Sequence, residues 1–291
     1  MCGEVITGDP AAGGGVHAHE GSGMSGEDLS AHRELVLRMG DLVREIESEI
    51  GPLEFVDVGG GFGVPYREDD PSLDLGSAAA ATREALGEVS ASLSVEPGRY
   101  VVADAGVLLT RVNTVKQARD ATVVGVDAGM TTLLRPAMYD AYHAIRNLSA
   151  DTNAKPDAEA DARETGPVTV AGPICESADV LAEQRPLPRP ERGEILAVGN
   201  AGAYGYEMSS TYNSRPRPAE VARPGTTIRL ARRRETVPDL TEPERCAGAT
   251  TWGQSRSPTA PAPTSCGATR SPRSPPPPPS RARHDTARPA C

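Results

Sequence analysis

The apolar positions of the first hundred residues alternate between short runs and helical spacing. Gly15-Val16-His17-Ala18-His19 predicts a brief strand that ends at Gly21-Ser22-Gly23. From Leu29 to Ile50, Leu35, Met39, Leu42, Val43 and Ile46 recur at helical intervals with charged residues between them, and Gly51-Pro52 stops the helix. Phe55-Val56-Asp57-Val58 predicts a second strand running into Gly59-Gly60-Gly61-Phe62-Gly63. Ala78 to Ser92 predicts an Ala-rich helix, and Ser94-Val95-Glu96 a third strand closed by Pro97-Gly98-Arg99. This βαβαβ rhythm implies parallel strands with functional loops at their C-terminal ends.

After Tyr100 the pattern changes. Val101–Val102, Val107–Val115, Thr122–Val126, Val168–Val170 and Ile195–Val198 are β-rich runs without long helices between them, which predicts a second, mainly β domain. The polar, acidic stretch from Asn147 to Gly166 reads as an exposed loop. From Ala222 periodicity vanishes, and Pro275–Pro279 is a polyproline run. The expected organisation is α/β plus β: part of a barrel over residues 1–100, a mainly β domain over 101–221, and an Arg/Pro-rich, disordered tail over 222–291.

Charge sharpens these boundaries. The chain has 291 residues and a net charge of −10, which divides into −17 over residues 1–221 and +7 over the tail. An acidic body repels nucleic acid. No apolar run approaches the roughly 18–20 residues of a membrane span, and the first residues lack a secretory pattern. Cys2, Cys175, Cys246, Cys266 and Cys291 are odd in number and widely spaced, with no CxxC or Cys/His cluster to suggest a metal or a disulfide scaffold. A cytoplasmic protein is expected.

Three loops carry candidate chemistry. His17-Ala18-His19-Glu20-Gly21-Ser22-Gly23 is either a tight turn with solvated histidines or a set of free N–H groups and a hydroxyl suited to a phosphate. The Gly59–Gly63 loop is not a dinucleotide fingerprint, because Val64 occupies the third glycine position. A glycine cluster is a turn more often than a site. Two such loops on successive strands of one parallel sheet, however, match how barrels build phosphate sites. Glu96 and Arg99 are either a surface ion pair or two charges aimed into the same pocket.

The strings HAHEGSG, VDVGGGFG, SVEPGRYVV, VDAGMTTLLRPAMYDAYH, GPICESADV and GNAGAYGYEMSSTYNSRPRPAEV stand in one order across residues 13–221. Together they resemble diaminopimelate decarboxylases, pyridoxal-phosphate enzymes of the alanine-racemase-like fold group. The resemblance implies the C-terminal part of a (β/α)8 barrel followed by a β domain. It implies conversion of meso-2,6-diaminopimelate to L-lysine and CO2, with pyridoxal 5'-phosphate as cofactor. In its terms His19 stacks on the cofactor ring, while Ser22 and Gly59, Gly60 and Gly61 hold its phosphate. Glu96, followed by Pro97 and Gly98, pairs with the ring nitrogen. Arg99 reaches phosphate or substrate carboxylate, Arg135 and Tyr139 bind substrate, and Tyr204 touches both cofactor and substrate. Cys175 returns the proton, Glu176 recognises the distal ammonium, and both complete the site of a partner subunit in a head-to-tail homodimer.

The resemblance also implies a cofactor-anchoring lysine upstream of the HAH motif. The two lysines of the chain, Lys116 and Lys155, do not match that position. The sequence is therefore expected to be a truncated or non-catalytic form of the enzyme, with another basic amino-acid decarboxylase of the same fold disfavoured by Glu176. Glu20 departs from the family pattern, which has an apolar residue there.

Overall fold

A computed structural model describes residues 14–26, 29–87, 89–118, 121–150 and 163–245. Three short strands, β1 (Gly15–His17), β2 (Phe55–Asp57) and β3 (Ser92–Ser94), form a parallel sheet in the order β1-β2-β3. Its register places His17 beside Asp57 and Asp57 beside Ser94, so three successive strands end at one level. Helix α1 (Ser30–Ile50) connects β1 to β2, and α2 (Leu75–Leu86) lies between β2 and β3. Val36, Met39 and Val43 of α1 pack on Val16, Val56 and Val58 of the sheet and on Ala85 and Leu86 of α2. Of the apolar positions read from the sequence, Met39 and Val43 are buried and Leu35 and Ile46 pack against this core, whereas Leu42 is exposed. Asp74 caps α2 by accepting from the Ser77 N–H at 3.0 Å.

Several boundaries differ from the sequence reading, and the first strand ends at His17. The second helix starts at Leu75, where Asp74 supplies the cap, and ends at Leu86. The third strand is Ser92–Ser94, so Glu96 lies in the following loop rather than on the strand. Val101 and Val102, expected as β, belong to α3 (Gly98–Val102). There the Val101 N–H donates to the Pro97 carbonyl, and this local bond outweighs the β preference of two valines.

The β domain is a six-stranded sheet in the order β6-β9-β4-β5-β7-β8. Its strands are β4 (Leu108–Ala118), β5 (Ala121–Val126), β6 (Ile145–Asn147), β7 (Thr165–Ala171), β8 (Val180–Pro188) and β9 (Ile195–Val198). The short helix α4 (Arg135–Tyr139) follows β5. Alternate residues Val112, Val124, Val126, Val168, Val170, Leu181, Leu196 and Val198 form its core. Strand β8, with Pro186 and Pro188, pairs with β7 alone and sits at the sheet edge, where proline removes no needed donor.

The expectation of no elements after Ala222 is corrected for residues 222–245. Strand β10 (Glu220–Ala222) pairs antiparallel with β11 (Arg229–Arg232), and α5 spans Val237–Arg245. These elements show no apolar alternation because charge pairs and ring contacts hold them. The Arg217 Nε donates to Glu235 at 2.9 Å, Arg232 pairs with Glu220, and both guanidiniums lie over the Tyr206 ring. Asp239 accepts from the Thr236 N–H at 2.7 Å, a side chain reaching back to the start of α5. The rest of the expected tail, with the polyproline run and three cysteines, lies outside the described residues. Residues up to Leu240 form one compact unit.

Candidate cofactor and substrate site

The loops after β1 and β2 are laced together by their backbones. Gly23 and Met24 both donate to the Gly61 carbonyl, at 3.1 and 2.9 Å, and Gly63 donates back to Met24 at 2.9 Å. The His19 Nδ1 accepts from the Gly60 N–H at 3.0 Å, which leaves Nε2 as the protonated nitrogen of a neutral ring. Glycine is required in this loop on steric grounds. A Cβ at Gly59 would lie 2.4 Å from the Ala18 carbonyl oxygen, one at Gly60 2.5 Å from that of Glu96, and Gly59 and Gly61 have φ of 72° and 89°.

The loop after β3 closes this group. The Glu96 N–H donates to the Gly59 carbonyl at 2.8 Å, which holds the carboxylate beside His17, whose Nε2 lies 3.3 Å from Oε2. Asp57 completes a cluster in which the three side chains bring one polar atom each within 4.8 Å of one another. Sequence spacing could not reveal this cluster, because its members come from three strand ends. Arg99, one residue into α3 after Pro97 and Gly98, donates from Nη2 to the Ser22 hydroxyl at 3.4 Å. Among the described residues its Nε is buried without a partner. The Tyr204 ring centre lies 5.5 Å from the Arg99 guanidinium carbon, with Tyr204 itself at φ 56°. His19, Ser22, Gly59, Gly60, Gly61, Glu96, Arg99 and Tyr204 are therefore brought together.

Arg135 is placed differently. It is 7% exposed, and its Nη1 donates to the Tyr66 hydroxyl at 2.8 Å and to the His143 Nε2 at 3.2 Å. His143 is fully buried, and its Nδ1–H donates to the Gly199 carbonyl at 2.9 Å. That bond fixes the tautomer whose Nε2 can accept from Arg135. His143 is a positioning residue that the sequence reading passed over, although it closes the DAYH string. Tyr139 is 59% exposed at the end of α4.

Burial holds the His143 pKa below its ordinary value; the Gly199 carbonyl opposes this, and the charges of Arg135, Arg185 and Arg99 add to it. The unfolded chain therefore takes up this proton first as pH falls below about 6.5. Stability should decline between pH 6.5 and 5.5 more steeply for the parent than for His143→Gln. Parallel urea-midpoint curves for the two proteins would refute this.

Cys175 and Glu176 are exposed on the loop between β7 and β8. Among the described residues the Cys175 thiol meets the Asn213 amide at 4.0 Å and makes no bond to the Glu96–Arg99 group. The loop is shaped by Asp179, a buried carboxylate the sequence reading did not single out. Its Oδ1 accepts from the Met130 N–H at 2.7 Å and its Oδ2 from the Ile174 N–H at 2.9 Å. Gly129 and Gly172 flank it so closely that a Cβ on either would lie 2.1–2.2 Å from Oδ1. Lys116 is exposed on β4 within the β domain, opposite Val123, and Lys155 lies outside the described residues. No helix among the described residues is long and apolar enough to cross a membrane.

Comparison with known proteins gives this geometry a family. Residues 14–103 match the pyridoxal binding domain of the pyridoxal-dependent decarboxylases, and residues 99–202 match their C-terminal sheet domain. A diaminopimelate decarboxylase of Methanothermobacter thermautotrophicus is 42% identical over 234 residues, which cover 78% of this chain and 52% of the relative. That of Aquifex aeolicus is 37% identical over 229 residues, covering 79% and 52%. The chain thus spans about half the length of the curated relatives it matches. The crystal structure of Helicobacter pylori diaminopimelate decarboxylase complexed with L-lysine superimposes with a TM-score of 0.70 at 36% identity, covering 79% of this chain and 54% of that one. A lysine/ornithine decarboxylase of Vibrio vulnificus, at 23% identity and a TM-score of 0.58, shares the fold. With both domains matched in order over residues 14–202, the chain belongs to the pyridoxal-dependent decarboxylase family.

Proposed function

We propose that this chain carries the phosphate-binding, ring-binding and proton-donor portions of a diaminopimelate decarboxylase. The observation that carries the reading is the convergence of three loops on one anion site. Glycines 59–61 admit no side chain, Ser22 offers a hydroxyl, and the Arg99 Nε is buried without an acceptor among the described residues. These groups fit the 5'-phosphate of pyridoxal phosphate. Once bound, that cofactor supplies an electron sink for loss of a carboxylate as CO2. Glu96 keeps a proton on the ring nitrogen, and His17 at 3.3 Å orients the carboxylate. His19, pinned by the Gly60 N–H, offers its flat face to the ring.

For the substrate, Tyr139, Tyr204 and the remaining donors of Arg135 bind and orient the amino acid. Cys175 delivers a proton to the α-carbon and Glu176 pairs with the distal ammonium, both acting across a head-to-tail homodimer in the cytoplasm. A second reading is binding of the cofactor without turnover. It is favoured by Lys116, the lysine among the described residues, which is exposed on β4 of the sheet domain opposite Val123. Titration with pyridoxal 5'-phosphate followed by borohydride reduction and peptide mapping separates the two. Saturable binding, weakened about tenfold or more in Arg99→Ala, is expected, with no adduct on Lys116. An absorbance spectrum unchanged by protein would sink the cofactor site, and a Lys116 adduct would sink the second reading.

A further inference from the structure

A cavity of about 610 Å³ lies between β8 and the segment that follows α4, within the size range of small-molecule sites. None of the cofactor or substrate residues named above lines it. Arg67, carried on the segment after β2, and Arg185, on β8, each place the guanidinium carbon 3.7 Å from the centre of the Tyr142 ring. Two guanidiniums that close to one ring centre must lie on opposite faces, so Tyr142 is clamped between two like charges. Neither guanidinium donates a hydrogen bond or forms an ion pair among the described residues. Arg185 is half-buried, and its pKa is lowered, first by that burial, with the Arg67 charge adding to it and Tyr142 opposing.

This arrangement has unfavourable features that packing alone does not require. Two cations are held in one cavity wall, and their planar N–H edges are left without acceptors. Two lining residues, Asp140 and Gln184, adopt left-handed backbone conformations, at φ 51° and 48°, which non-glycine residues rarely adopt. Asp140 and Glu183 also line the cavity, exposed and unpaired with either arginine. They limit the negative charge the cavity tolerates and favour one oxyanion group over a polyanion.

We propose that the cavity bounded by Arg67, Tyr142 and Arg185 is a second binding site, for a small organic molecule bearing one oxyanion, a carboxylate or a phosphate. Ring stacking presents the two guanidinium edges, and an oxyanion between them supplies the missing acceptors. The test is calorimetric titration of the full chain with inorganic phosphate and, separately, with 4-aminobutyrate. Saturable binding of at least one is expected, weakening with added salt and falling about tenfold in Arg67→Gln and in Arg185→Gln. Arg67 is exposed, so its substitution leaves the core intact. Preference for phosphate or for 4-aminobutyrate identifies the oxyanion. The affinity of this site should be unchanged in Arg99→Ala, which separates it from the cofactor loops because Arg99 does not line the cavity. No saturable heat with either probe, equal affinity in the Arg67 and Arg185 variants, or loss of the binding in Arg99→Ala would overturn the proposal.

Discussion

Asp179→Ala should lower the unfolding free energy by about 3–5 kcal/mol. The carboxylate is 3% exposed and satisfies two backbone donors from different loops, Met130 and Ile174. Removing it leaves both N–H groups without their acceptor. The Asp179 backbone also accepts from Gly172 at 2.7 Å and donates to Glu176 at 3.0 Å, so the Cys175 loop is built around this residue. Asp179→Asn retains one acceptor oxygen and turns an amide donor toward the other N–H; a smaller loss is expected. Urea unfolding, with hydrogen exchange over residues 172–179, checks both variants. A loss below about 1 kcal/mol for the alanine variant would show that the loop can be held without the carboxylate.

Gly60→Ala is expected to weaken pyridoxal phosphate binding about a hundredfold or more while leaving the fold in place. The added methyl would lie 2.5 Å from the Glu96 carbonyl oxygen and 3.4 Å from the His19 ring. Its φ is not in the left-handed region, so backbone strain is not the cause. The loop after β3 must instead retreat, carrying Glu96 from His17 and Arg99 from Ser22. A shift of about 1 Å at positioning groups is enough for losses of this order. Equilibrium titration by absorbance measures the affinity, and circular dichroism the fold. Undiminished affinity would show that the Gly59–Gly61 loop does not contact the cofactor.

Much of this was legible in the sequence because local patterns carried it. The spacing of Leu35, Met39, Leu42, Val43 and Ile46 marked α1 and, apart from the exposed Leu42, the side that meets the core, and Val56-Asp57-Val58 before a glycine run marked β2 with its loop. The motif strings identified Ser22, Glu96 and Arg99, which the structure then groups through bonds between loops distant in sequence. Residues that act through tertiary packing were harder to see. Asp179 and His143 are ordinary polar positions in a string until burial gives them backbone carbonyl and N–H partners. The elements after Glu220 were missed for a related reason. Arginine–carboxylate pairs and stacking on Tyr206 hold them, and neither leaves a periodic trace. Val101 and Val102 misled because β-branched residues favour strands only where a neighbouring strand is there to pair with.

The backbone bonds that tie Gly23 and Met24 to Gly61, and Gly63 to Met24, have a kinetic consequence. A phosphate group arriving at these loops meets donors already fixed in place by folding. Little conformational entropy remains to be lost on docking, so association should follow the encounter rate, with no slow rearrangement after it. Discrimination among phosphorylated compounds would then rest on how long each one stays.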